Sequence, residues 1–170
     1  MIVPKRLPKR DPIAAYKRKV TAARRIGQGN KCDCGEARPE ALIAGSDPVI
    51  CASCDRKANS MRTIDDHHVG GAANDSTTTP VPVNDHRAEL SVAQEDWPRQ
   101  TLENPDGSPL LAGAACMRGY VDTTLYFQQE LLLRRAEMLE VLDPILKQKL
   151  GPRWWVGTEL EQFQGKSGTE

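Results

Sequence analysis

The sequence predicts an α+β protein, in which a small loop-rich domain braced by cysteines lies between two helical segments. Three observations carry this reading. Cysteines recur as Cys32-Asp-Cys34-Gly35 and Cys51-Ala-Ser-Cys54 in a stretch with no long apolar periodicity. Two short extended pieces, 64–69 and 79–83, then precede a helical run. From about residue 110 to residue 150 apolar side chains recur at helical spacing.

At the N-terminus, residues 1–10 read as an extended arm in which Pro4 and Pro8 punctuate basic pairs. Asp11-Pro12 reads as a helix start, with Asp as N-cap and Pro in the first helical position. Ile13, Tyr16, Val20 and Ala23 form its apolar face and Gly27 its stop. The opposite face is basic, with Lys17, Arg18, Arg24 and Arg25 as candidate phosphate contacts beside the bland reading of a solvated face. In the cysteine segment, Pro48-Val49-Ile50 is strand-like. After the two extended pieces, Asn84 or Asp85 can cap a helix running to Trp97, which Pro98 ends. Residues 98–109 read as a turn-rich linker. In the helical segment 110–156, Val121, Leu125, Leu132, Ala136 and Leu139 line one face and Leu131 to Leu133 widen it. Asp143-Pro144 either kinks this helix or starts another, and residues 157–170 form a frayed tail. The wide leucine face packs on the first helix, or else serves self-association or a protein partner. Domain boundaries therefore fall at 1–30, 31–97, 98–109, 110–156 and 157–170.

Composition limits the function classes. Of 170 residues, 39% are hydrophobic and 5% aromatic, with 13 Gly and 12 Pro, so the core is modest and a metal or disulfide staple is expected. The net charge of +0 conceals ten bases between Lys5 and Lys31 against the single acid Asp11, so neutrality does not exclude a nucleic-acid partner. No apolar run approaches the ~20 residues that span a bilayer. No apolar stretch follows the basic N-terminus as a secretory signal requires, so a cytoplasmic, reducing location is expected. There, paired cysteines hold metal more often than they form disulfides.

The two cysteine pairs can each present two thiolates from a tight turn, completing the tetrahedron that zinc prefers. Cys32, Cys34, Cys51 and Cys54 are thus candidate ligands of a structural zinc, against a minor reading of buried thiols or a redox pair. Cys116, alone at the start of an apolar helix, reads as core. All three histidines fall within Asp66-His67-His68-Val69 and Asn84-Asp85-His86, close to carboxylates and amides.

The run Ile64-Asp-Asp-His-His-Val-Gly-Gly, followed by Thr78-Thr-Pro-Val-Pro-Val-Asn-Asp-His-Arg, resembles the HNH (ββα-metal) nuclease motif. The resemblance covers about residues 31–97. It implies a zinc-stabilised ββα-metal domain and a metal-dependent endonuclease acting on DNA. His67 and His86 would be ligands of one divalent cation such as Mg or Mn, with Asp66 beside them, and His68 would be the general base. Arg87, next to His86, joins the candidate phosphate contacts. The middle asparagine position falls near Thr78 by spacing, with Asn74 and Asn84 as chemically plausible substitutes. An imidazole whose ordinary pKa lies near 6.5 suits deprotonation of water at neutral pH. A cation with open coordination positions can relieve phosphate charge and help the leaving oxygen.

The chain departs from the motif in places. Pro82 and Asp85 stand where many members carry a second cysteine pair, and Gly70 to Ala73 supply no base for phosphate. The alternative function is therefore a catalytically degenerate, zinc-stabilised nucleic-acid-binding or assembly module.

Overall fold

The computed structural model describes residues 12–27 and 29–163, so the arm, the Asp11 cap and the end of the expected tail lie outside the described residues. The chain divides into two units, one ending at Tyr126 and the other beginning at Phe127. Among the described residues no helix is long and apolar enough to cross a membrane.

Helix α1 spans Pro12–Ile26 and stops at Gly27, whose φ of +88° suits glycine and whose N–H donates to Ala23 O at 3.0 Å. Its seating differs from the sequence expectation. Val20 and Ala23 are half-buried, but Ile13 and Tyr16 are 60% and 69% exposed. The helix is held by its C-terminal half, where Ile26 packs on the cysteine segment, and through its charged side, where Arg18 pairs with Glu95 at 2.9 Å and with Asp96.

The cysteine segment contains little regular structure. Leu42 and Cys51 form an isolated antiparallel bridge, and Ile43 N–H donates to Ile50 O at 3.0 Å. The strand expected at Pro48 to Ile50 does not extend beyond this, because the Ser46 hydroxyl accepts from Ile50 N–H at 3.1 Å and donates to Ile43 O at 2.8 Å. Helix α2, Ala52–Ala58, was not legible in the sequence: seven residues are too few to show a period. The Cys51 thiol starts it by accepting from Cys54 N–H at 3.4 Å. Cys32, Leu42 and Cys51 are buried here, with Ile26, Val49 and Ile50 packed against them.

Strands β1 (Ile64–His68) and β2 (Thr78–Pro82) pair antiparallel, with His67 opposite Thr79 and His68 opposite Thr78. Successive side chains in a strand point to opposite faces. Asp65 and His67 therefore share one face with Thr79 and buried Val81, while Asp66 and His68 share the other with Thr78. Both strands are edges, so Pro80 and Pro82 cost the sheet little.

The chain turns directly from β2 into a continuous helical run, α3 (Val83–Asp85), a π-helical turn (His86–Leu90) and α4 (Ser91–Glu95). Pro82 is the residue before it, so Asn84 and Asp85 lie within the first turn rather than capping it. Val83, Leu90 and Trp97 are buried with Val81. Residues 98–109 are not a simple linker. They contain α5 (Arg99–Glu103), closed by Asn104 at φ +39°. The Asn104 side chain then bonds both Ser108 O and Ser108 N–H, at 3.1 and 2.8 Å.

Helix α6, Pro109–Tyr126, closes this unit. The Trp97 indole N–H donates to Asp122 at 2.7 Å and the Tyr126 hydroxyl to Asp85 at 2.7 Å. Arg38 ties the cysteine segment to the helical run by pairing with Glu36 and Asp85 at 2.7 Å and Glu89 at 3.1 Å.

The second unit holds a π-helical stretch (Phe127–Leu133), α7 (Arg134–Leu150) and a 3-10 turn (Glu159–Phe163). Pro144 lies inside α7, so no new helix begins there. None of residues 127–163 is buried, and Leu132 and Leu139 on the expected apolar face are 63% and 60% exposed.

Gly119 sets the approach of α6 to the end of β1. A Cβ built there would lie 1.6 Å from the Val69 carbonyl oxygen and 3.2 Å from the Trp97 ring. Overpacking typically costs about 1–3 kcal/mol. Because the obstacle is backbone, Gly119→Ala should reach the upper end of that range in denaturant unfolding. A variant as stable as the parent would show that α6 does not sit against Val69.

Candidate metal centre

The first cysteine pair lies on a tight turn in which Gly35 N–H donates to Cys32 O at 2.8 Å and Cys32 N–H to Glu36 O at 2.9 Å. Gly35 permits the turn through its φ of +94°. The second pair opens α2. The four sulfurs lie within 4.8 Å of one another, with Cys34 Sγ and Cys51 Sγ 3.6 Å apart, and all four are free thiols. With Zn–S of about 2.3 Å, a tetrahedral site needs sulfurs roughly 3.8 Å apart. The cluster is therefore close enough to hold a metal ion. Its electrostatics favour one. Backbone N–H groups of Cys34 and Cys51 directed at Cys32 lower its pKa, whereas the neighbouring Cys34 and Cys51 side chains push Cys54 up. The Cys32 thiolate therefore forms more readily than that of Cys54.

The histidines form a second arrangement. His67 is 1% exposed and meets His86 edge to face, with ring centroids 5.2 Å apart. His86 opens the π-helical turn, in which Ser91 N–H reaches back five residues to His86 O. π turns inside α-helices recur at functional sites. His86 Nδ1 lies 3.0 Å from Asp65 Oδ2. Burial alone would raise the pKa of Asp65, but Arg56 and His86 outweigh it and hold the carboxyl low. An ionised carboxylate only accepts, so Nδ1 carries a proton in this contact.

Burial, reinforced by His86 and His68, lowers the pKa of His67 to about 4. Its Nδ1 is buried with no hydrogen-bond partner. An orphaned buried nitrogen is costly, and a cation beside it would relieve that cost. The two imidazoles thus lie side by side, that of His86 oriented by a carboxylate.

His68 lies on the opposite face of β1. Its Nδ1 is 3.2 Å from Asp75 O. A carbonyl also only accepts, so Nδ1 donates in this contact. Gln94 steadies the same strand end by donating to His68 O at 2.6 Å, with its amide nitrogen 3.4 Å from His67 Nε2.

Several predicted residues fall elsewhere. Asp66, expected beside the metal, faces away from His67 and pairs with Arg62 at 2.9 and 3.1 Å. Asp65 takes its place, because strand alternation gives i and i+2 a common face. The Asn74 amide donates to Thr101 O and Leu102 O at 3.0 and 3.2 Å, anchoring the β1–β2 loop on α5. Asn84 accepts from Ser53 N–H at 2.9 Å and donates to Glu36 at 3.1 Å, latching α2 to the helical run. The Asn84 amide is engaged through both its atoms and that of Asn74 through its nitrogen, while Asn74 Oδ1 is buried with no partner. Thr78 alone of the three lies beside His68, across the strand pair.

Sequence reasoning missed Asp65, Arg56, Asp75 and Gln94. Counting alternate residues from His67 finds Asp65. The turn in which Asp75 Oδ1 accepts from Thr77 N–H at 3.1 Å and Oγ1 at 3.0 Å is a recognisable Asp-x-Thr pattern.

Of the candidate phosphate contacts, Lys17, Arg18, Arg25 and Arg87 line a groove of about 530 Å³ between α1 and the helical run. Glu40, Glu95 and Asp96 line it as well, and Arg18 is paired to the last two. Arg87 donates to Glu40 O at 3.1 Å. Arg24 is exposed and outside this groove. Comparison with protein-family models, curated proteins and solved structures finds no match.

The His67 environment yields a pH dependence. Its folded pKa lies below the ordinary value of 6.5, so the unfolded chain binds more protons between about 6.5 and 4. His67 therefore favours folding above that window, and the contribution is lost as pH falls through it. Titration by NMR without added divalent metal should show the His67 ring neutral down to about pH 4. A midpoint near 6.5 would contradict the burial.

Proposed function

We propose that this protein is a metal-dependent endonuclease of the HNH (ββα-metal) type that hydrolyses DNA phosphodiester bonds, with a structural zinc at Cys32, Cys34, Cys51 and Cys54. The observation that carries the reading is the arrangement of the three imidazoles. His67 and His86 meet on the face between strand and helix, and His68, on the opposite face of β1 at the same strand end, has Nδ1 against the Asp75 carbonyl. Two antiparallel strands leading directly into a helix that bears His86 is also the order of elements the motif requires.

In this reading His67 and His86 would hold a divalent cation, with Asp65 behind His86. The cation supplies charge relief to the phosphate and to the leaving 3′ oxygen. His68 Nε2 takes the proton from the attacking water, and the Asp75 carbonyl steadies the imidazolium that forms. Lys17, Arg25 and Arg87 supply positive charge along the flanking groove.

The competing reading is a degenerate module that binds nucleic acid without cutting it. The acids that share the groove with the bases, and the engagement of Asn74 and Asn84 elsewhere, favour it. Plasmid nicking decides between the two. Losing a general base costs ~10²–10⁴-fold in rate, so His68→Ala should nearly abolish nicking while fold and DNA affinity persist. His67→Ala and His86→Ala should instead weaken the cation, with partial rescue by excess metal. Wild type that binds DNA but nicks with none of magnesium, manganese, nickel or zinc would replace the nuclease by the binding module.

The zinc is tested separately. Elemental analysis of reduced protein should find about one zinc per chain. Its removal should unfold the segment from Cys32 to Cys54, which has little apolar core of its own. A metal-free protein with that segment still ordered would overturn the structural role.

A further inference from the structure

The acidic pair Asp65-Asp66 divides its two side chains between opposite faces of β1. Only Asp65 reaches the histidine face, where its Oδ2 lies 3.0 Å from His86 Nδ1. Its other oxygen is taken by the guanidinium of Arg56. Arg56 also donates to Arg62 O at 3.1 Å, so it spans the turn between α2 and β1. Arg56 sits on α2 two residues beyond Cys54, and the helix begins with its first turn capped by the Cys51 thiol. A chain of direct contacts therefore leads from the cysteine cluster through α2 and Arg56 to Asp65 and His86. Each link is partly shielded, with side-chain exposures of 28% for Arg56, 22% for Asp65 and 26% for His86.

We infer that Asp65, held by Arg56, is a positioning residue that fixes the His86 tautomer and ring direction, and that the cysteine cluster governs the histidine site through this contact. This rests on the reading of His67 and His86 as cation ligands. The physical reason is that an imidazole presents a lone pair to a cation only from its unprotonated nitrogen. A carboxylate on Nδ1 keeps the proton there and leaves Nε2 available. A bare Asp65 would be free to rotate or to approach the cation itself. Arg56 occupies its second oxygen and removes that freedom. Since Arg56 is carried by a helix seated on the cysteines, loss of their metal or their oxidation would misplace the guanidinium and release His86. Asp66, one residue along, is paired with Arg62 and contributes nothing to this chain.

The test uses full-length, zinc-loaded protein with two readouts. One is the ring-nitrogen NMR spectrum of His86, which reports its tautomer without any added cation. The other is Ni²⁺ affinity by calorimetry, nickel being suited to imidazole. Wild type should show the Nδ1–H tautomer. Asp65→Ala should mix the tautomers and weaken Ni²⁺ by about 10–100-fold, as loss of such a partner does. Arg56→Met should move both readouts in the same direction with zinc content unchanged, and Asp65→Glu should restore part of the effect. Asp66→Ala should leave both at the wild-type value. A wild-type His86 protonated on Nε2, or an Asp65→Ala variant with the wild-type tautomer, overturns the positioning role. An Arg56→Met variant identical to wild type overturns the link to the cysteines. If the tautomer responds as expected but wild type binds no Ni²⁺, the positioning role stands and the cation reading above falls.

Discussion

One guanidinium holds the first unit together. Arg38 leaves the cysteine segment and meets Glu36 on its own turn, Asp85 in α3 and Glu89 in the π-helical turn. Asp85 in turn accepts from the Tyr126 hydroxyl at the end of α6. Three carboxylates converge on a cation that is three-quarters shielded from water, with a side-chain exposure of 26%. The hydrogen bond from Arg38 holds Glu36 well below the ordinary carboxylate range, at about 2. Breaking such a half-buried set from one side leaves charges without partners, which costs far more than an exposed pair. The apolar core is too small to do this work. Its large, fully buried apolar side chains are few: Leu90, Val81 and Val83.

Polar ties of this kind explain which parts of the fold could be read from the sequence. The two strands, the helix after them and the cysteine cluster declare themselves through spacing and periodicity, and they occur close to where they were expected. Helix α2 and the seating of α1 do not. The first is shorter than any hydrophobic period and depends on a thiol cap. The second follows the Arg18 pairs rather than the apolar stripe of Ile13 and Tyr16. Which partner an arginine finds across dozens of residues is a property of the assembled chain.

The candidate site divides along the same line. His67, His68 and His86 stand out by residue type; His67 and His86 meet, while His68 lies on the other face of β1. The groups that orient them are a carboxylate, a main-chain carbonyl and an amide side chain, none distinctive in sequence. Asp66 drew attention because it adjoins the histidine pair, whereas a strand makes neighbours of alternate residues. Asn74 and Asn84 have the right chemistry for a catalytic amide. Both are occupied in fastening loops, Asn74 to α5 and Asn84 between Ser53 and Glu36.

The π-helical turn at His86–Leu90 has a consequence for chain length. An α-helix advances about 100° per residue, from 3.6 residues per turn. The wide turn absorbs one residue that an α-helix would not accommodate in the same arc. His86 at its start and Gln94 beyond it can thereby both address the end of β1, one towards Asp65 and the other at His68 O. Regular α-helical winding of the same residues would turn Gln94 and Trp97 by about 100° and off β1 and α6. The winding between His86 and Gln94 is thus as much a part of the site as the side chains themselves.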